Sequence, residues 1–137
     1  MKRNVLLAIT SLLSMLFLSL HHADDVVRGL APGKFSNLIP IVFLAFWLYA
    51  TTLVLEGRRS GYIIILVLSF LGFGIPIIHM TRAGMAGGRI AHSQAAFFFV
   101  WTLVMIGVTT LFSVILAARE LWRLRRDAKP RPASLPV

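Results

Sequence analysis

The stretch "LSLHHADDVVRG", Leu18 to Gly29, gathers two histidines, two aspartates and an arginine where an apolar run ends. On a helix that continues past Leu20, His21, Asp24, Asp25 and Arg28 fall at i, i+3, i+4 and i+7 and share one face. His22 lies about 100° around from His21, within reach of Asp25 at i+3. Imidazole and carboxylate at this spacing suit a divalent transition metal such as zinc, with further ligands from His79 in "PIIHM" and from His92. The candidate metal ligands are therefore His21, His22, Asp25, His79 and His92. His21, Asp24 and Asp25 are also candidate catalytic groups, able to act as general acid and base toward a lipid headgroup or a small molecule. A structural reading needs no ligand: Asp24 and Asp25 pair with Arg28 at i+4 and i+3, and the charges mark where the helix enters water.

Several chemistries are excluded. The chain has no cysteine, so disulfides, thiolate metal sites and cysteine nucleophiles are absent. There is no HExxH, Walker loop, GxSxG or dinucleotide fingerprint, and the glycine-rich "AGMAGG" follows an apolar run instead of a strand.

The elements that must carry these residues are legible in the composition. At 137 residues, 58% hydrophobic and 14% charged, with a mean hydropathy of +0.83, the chain lies beyond the roughly 45–50% apolar and about 25% charged of soluble domains. Crossing a bilayer core takes roughly 20 helical residues. Four apolar runs fit, predicting spans of about 4–22, 36–55, 60–79 and 93–118 within a transmembrane domain of residues 1–126, followed by a disordered Pro-rich tail at 127–137. The first run resembles a signal peptide after Lys2 and Arg3, but cleavage after Ala23 would place His21 where a small residue is needed, so it is assigned as a helix.

The predicted fold class is an all-α integral membrane protein, a four-transmembrane-helix antiparallel bundle. Ten of the fourteen Lys and Arg residues fall at the termini or in the "EGRRSG" turn, and only Arg28, Lys34, Arg82 and Arg89 fall on the other side. The positive-inside rule then puts both termini in the cytoplasm, in the inner (plasma) membrane of a bacterium, with all four histidines at the outer face. Ser36 or Asn37 is expected to cap the second helix, Gly29 to stop the first, and Pro76 to loosen or kink the third just before His79. Small residues recurring every four positions, Thr10 and Ser14, then Thr109, Ser113 and Ala117, permit close helix contact. The basic "RELWRLRRDAKPRP" segment reads as an anchor to anionic lipid, with Trp122 at headgroup depth; no aromatic stacking pattern or folded module supports nucleic-acid binding.

Three functional classes follow. The first is an accessory or structural membrane subunit, packing against itself as a homo-oligomer or within a larger membrane complex. The second is a metal-binding protein or enzyme at the outer face. The third is a bis-histidine haem protein, placed last because its ligands would sit at the rim among carboxylates. Whether the chain is an enzyme is left open by these residues.

Overall fold

The computed structural model describes residues 2–29, 34–82 and 96–128. Its helices are α1 (Lys2–Val27), α2 (Leu38–Leu55), α3 (Arg59–Arg82) and α4 (Ala96–Asp127), with a single 3₁₀ turn over Lys34–Asn37 leading into α2. There is no strand among the described residues. All four helices are long and apolar enough to cross a membrane. At about 1.5 Å per residue, the 32 residues of α4 reach roughly 48 Å, beyond a hydrocarbon core of about 30 Å, so its basic end projects past the apolar layer.

The distribution of side chains is that of a protein dissolved in lipid. Val5, Leu12, Leu16, Val42, Val67, Phe70, Val104 and Phe112 are exposed on the helix exteriors, whereas Ser11, Ser14, Thr51, Ser69, Thr102, Thr110 and Ser113 are buried. Soluble monomers rarely expose contiguous apolar patches beyond a few hundred Å². Here the apolar surface belongs in a bilayer, which offers nothing for buried hydroxyls to gain by facing outward. The chain is a multi-pass integral membrane protein.

Within the bundle, α4 packs on both α1 and α3, and α2 packs on both α1 and α3. On α1 the buried positions Leu7, Ser11, Ser14, Leu18 and His21 advance by alternate steps of four and three, the spacing that keeps one seam facing a partner helix. On α4 the buried face is Thr102, Ile106, Thr109, Ser113, Ala117 and Glu120. The seams meet where the Ser113 hydroxyl donates to Thr10 Oγ1 at 3.0 Å, so the small-residue stripes of the two helices do lie against each other. Near the other end of α1, the Tyr62 hydroxyl of α3 donates to Asn4 Oδ1 at 2.6 Å.

Local chemistry fixes the helix ends. Gly57, at φ +75°, closes α2 in a Schellman turn: its N–H donates to the Val54 carbonyl at 2.9 Å and that of Arg58 to the Leu53 carbonyl at 3.0 Å. Glu56 pairs locally with Arg58 at 2.8 Å, and α3 turns back directly on α2. The contact at this hairpin is so close that a Cβ on Gly61 would come within 2.7 Å of the Val54 backbone nitrogen. At the end of α1, Gly29 adopts φ +67° and stops the helix as expected.

The start of α2 departs from the sequence reading. Asn37 does not cap α2: the 3₁₀ turn holds it at φ −71°, ψ −13°, outside the extended conformation a capping side chain needs, and it makes no side-chain cap hydrogen bond. α3 is helical from Arg59 to Arg82 with Pro76 inside it, and the Pro76 ring lies against Gly107 of α4. The first helix extends one further turn beyond the 4–22 span, to Val27, and α4 continues past 118 to Asp127. The expected tail beyond Ala128 lies outside the described residues.

Candidate metal centre

The continuation of α1 is what builds the site. Its last turns carry His21 and Asp25 to the same end of the bundle as the C-terminal part of α3, which supplies His79, and the first turns of α4, which supply Phe99 and Thr102. His21 is 2% exposed, Asp25 17% and His79 24%. Asp25 Oδ2 stands 3.7 Å from His21 Nε2 and 3.9 Å from His79 Nε2, and one ligand atom from each of the three residues lies within 4.8 Å of the others. The imidazoles meet edge to face with centroids 4.9 Å apart, and the Phe99 ring backs both, 4.9 Å from His21 and 5.6 Å from His79.

The remaining ring nitrogens decide what this cluster can do. His79 Nδ1 lies 3.0 Å from the Ile75 carbonyl, which can only accept, so the Nδ1 proton is there. His21 Nδ1 lies 3.2 Å from Thr102 Oγ1, whose own proton is donated to the Phe99 carbonyl at 2.9 Å. Thr102 is therefore the acceptor, and His21 too carries its proton on Nδ1. Both Nε2 atoms then point lone pairs toward the Asp25 carboxylate. His21 Nε2 and Asp25 Oδ1 are buried and form no hydrogen bond. With both imidazoles neutral and the carboxylate ionised, three lone-pair donors face one another, and a cation among them, a metal ion or a proton, would relieve their repulsion. Outer hydrogen bonds of this kind, an Nδ1–H held by a carbonyl or hydroxyl, are how metal-ligating imidazoles are oriented.

Distances bear on the fit. Zinc bonds of about 2.0–2.2 Å in a tetrahedron place neighbouring ligand atoms roughly 3.3–3.6 Å apart. The two Asp25 contacts need to close by a few tenths of an ångström, a small rotation for the partly exposed Asp25 and His79 side chains beside the buried His21. The three ligands would leave one tetrahedral position open. Haem fits poorly, since two rings already in edge-to-face contact leave no room for a porphyrin between them.

The structure separates the residues singled out from sequence. His21, Asp25 and His79 converge. Asp24 does not join them: its Oδ2 accepts from Arg28 Nε at 2.6 Å, across one helical turn, and Arg28 lies 5.8 Å over the Phe99 ring. The ion pair of the structural reading is thus made by Asp24, whereas Asp25 lies with the two histidines. His22 is half-buried and lines a pocket beside the cluster without belonging to the group of three. His92 lies outside the described residues.

Sequence reasoning missed Thr102 and Phe99. A signal existed for Thr102, which precedes Thr109 by seven residues and so lies on the same face as the stripe already noted. For Phe99, one of three consecutive phenylalanines, no signal distinguishes it from its neighbours. Comparison with known proteins finds no match to a protein-family model, to a curated protein or to a solved structure.

Proposed function

We propose that this multi-pass membrane protein binds a divalent transition metal, zinc being the best fit, through His21, Asp25 and His79. The observation that carries this reading is the pair of imidazoles whose Nδ1 protons are engaged elsewhere and whose Nε2 lone pairs face one carboxylate. In an accessory or structural subunit the polar groups at this end would be expected to satisfy one another, as those around Ser11 do, whereas His21 Nε2 and Asp25 Oδ1 do not. A bound metal with an open position would act as a Lewis acid or lower the pKa of a coordinated water. Such chemistry defines the class of enzyme this site would support, one acting on a lipid headgroup or small molecule.

The ten-to-four distribution of Lys and Arg supports placing both termini in the cytoplasm of a bacterial inner membrane and the histidine end outside. At the opposite end, Arg126 stacks over Trp122 at 4.7 Å and Arg119 and Arg123 lie nearby, an arrangement suited to anionic lipid at the cytoplasmic surface. Orientation is tested by single cysteines in a chain that has none: Ser60→Cys should label only from the cytoplasm and Ala86→Cys only from outside. Metal binding is tested by elemental analysis of protein purified without chelator, against Asp25→Ala. Stoichiometric zinc in the first and none in the second is expected. No metal in either, after incubation with zinc and removal of excess, would refute the reading.

A further inference from the structure

A pocket of about 370 Å³ opens beside the cluster. Its polar end is His21, His22, Asp25 and His79. Away from that end the walls are wholly apolar: Leu18 from α1, Ile39, Pro40 and Phe43 from α2, Leu71 and Ile75 from α3. From His79 to Leu71 is eight residues of α3, so the apolar part reaches roughly 12 Å toward the middle of the bilayer. Ile39 and Phe43 also line an adjoining apolar groove on α2 with Leu38, Val42 and Phe46. Ile39 is 69% exposed and Leu71 55%, which opens this side of the pocket laterally to lipid.

We infer that the pocket takes an acyl-chain amphiphile whose oxyanion head, a carboxylate or a phosphate ester, occupies the open position of the metal held by His21, Asp25 and His79. The inference rests on the metal reading above and adds the ligand. Charge complementarity selects the head. A dication with two neutral imidazoles and one carboxylate carries one net positive charge, whereas the same site without metal presents only the Asp25 carboxylate and would repel an anion. The buried and unpartnered His21 Nε2 faces this site. Orientation selects the tail. The polar end lies at the end of the bundle and the apolar walls run inward, so a lipid enters with head and chain already in its membrane alignment. The head could belong to a free fatty acid or to a phospholipid, and the probes below separate the two.

Cobalt(II) can replace zinc as a coloured reporter, its visible bands changing when the coordination shell changes. The cobalt-loaded protein, in a non-ionic detergent, is titrated with dodecanoate, dodecyl phosphate, acetate and inorganic phosphate. Leu71→Trp fills the pocket from α3 without touching a metal ligand; Ile39→Trp narrows it from the exposed rim and serves if the first variant does not fold. At least one long-chain probe is expected to shift the wild-type bands at a concentration about tenfold lower than it needs in the tryptophan variant. Acetate and inorganic phosphate should act equally on both. A response to dodecanoate alone identifies a fatty acid, and one to dodecyl phosphate alone a phospholipid-type head. Equal responses of wild type and variant to every probe, or no response to any, with cobalt bound, would overturn the amphiphile proposal and leave the metal centre standing. Failure to take up cobalt would overturn both.

Discussion

Two buried polar clusters hang from the same face of α1, ten residues apart, and they are built on opposite rules. Around Ser11, every proton has an acceptor: Trp47 Nε1 donates to Ser11 Oγ at 2.7 Å, and Ser11 lies 3.0 Å from Thr51 Oγ1, whose own proton goes to the Trp47 carbonyl at 3.0 Å. Ser11 therefore donates to Thr51, and the circuit closes. Around His21 the protons are drawn outward, to Thr102 and to the Ile75 carbonyl, and the acceptors are left facing one another. A closed circuit needs nothing further and serves to fix helix register; a cluster of facing lone pairs is incomplete without a cation. Both clusters are buried and polar, so burial alone does not tell a structural group from a functional one. On the proposed metal reading, the direction of the protons does.

The sharpest way to break the comparison is to remove its ligands. His21→Ala, Asp25→Ala and His79→Ala should each abolish stoichiometric zinc in elemental analysis while the helical circular dichroism of the detergent-solubilised protein stays intact. Residual zinc at wild-type level in any one of them would remove that residue from the centre. Next in size is Thr102→Val, which keeps the shape but takes away the acceptor that orients His21. Zinc affinity should fall about 10- to 100-fold in a competition titration, the usual consequence of losing such a support, without being lost. A Thr102→Ser variant, which restores the hydroxyl, should recover most of it.

The closed circuit should behave differently. Trp47→Phe removes the donor to Ser11 and is expected to cost about 0.6–1.5 kcal/mol in a denaturant titration, since hydrogen bonds between membrane helices contribute modestly. Zinc content should not change. Loss of zinc in Trp47→Phe would mean that the two clusters are coupled and that the contrast drawn between them is false. Smallest of all, Asp24→Ala or Arg28→Ala should cost no more than about 0.5–1 kcal/mol, the scale of an i,i+4 ion pair, again with zinc retained. A zinc-free Asp24→Ala protein would show that the two aspartates cannot be assigned to separate roles.

Much of this was legible before any coordinates. The four helices follow from apolar runs long enough to cross a bilayer, the tight turn between the second and third from the short "EGRRSG" segment, and the Gly29 stop from a residue that tolerates positive φ. The i,i+4 spacing of His21 and Asp25 is a local property and was readable as such. What joined His79 to them was only a shared end of the bundle, because which face of α3 meets α1 depends on packing that neither helix encodes alone. The division of labour between Asp24 and Asp25 was likewise hidden: adjacent residues on a helix diverge by about 100°, and only the position of α3 and α4 decides which of them turns inward. Asn37 misled because its type suits a cap while the 3₁₀ turn before it sets a backbone that does not. Thr102 is a single hydroxyl among apolar residues, and its role exists only relative to His21, 81 residues earlier in the chain.

The central claim, that His21, Asp25 and His79 form one metal centre, is tested most directly by X-ray absorption at the zinc edge on the zinc-loaded protein. The predicted spectrum has two imidazole ligands and oxygen ligands at about 2.0–2.2 Å, with one imidazole contribution lost in His79→Ala. A shell without imidazole, or a spectrum identical in His79→Ala, would contradict it.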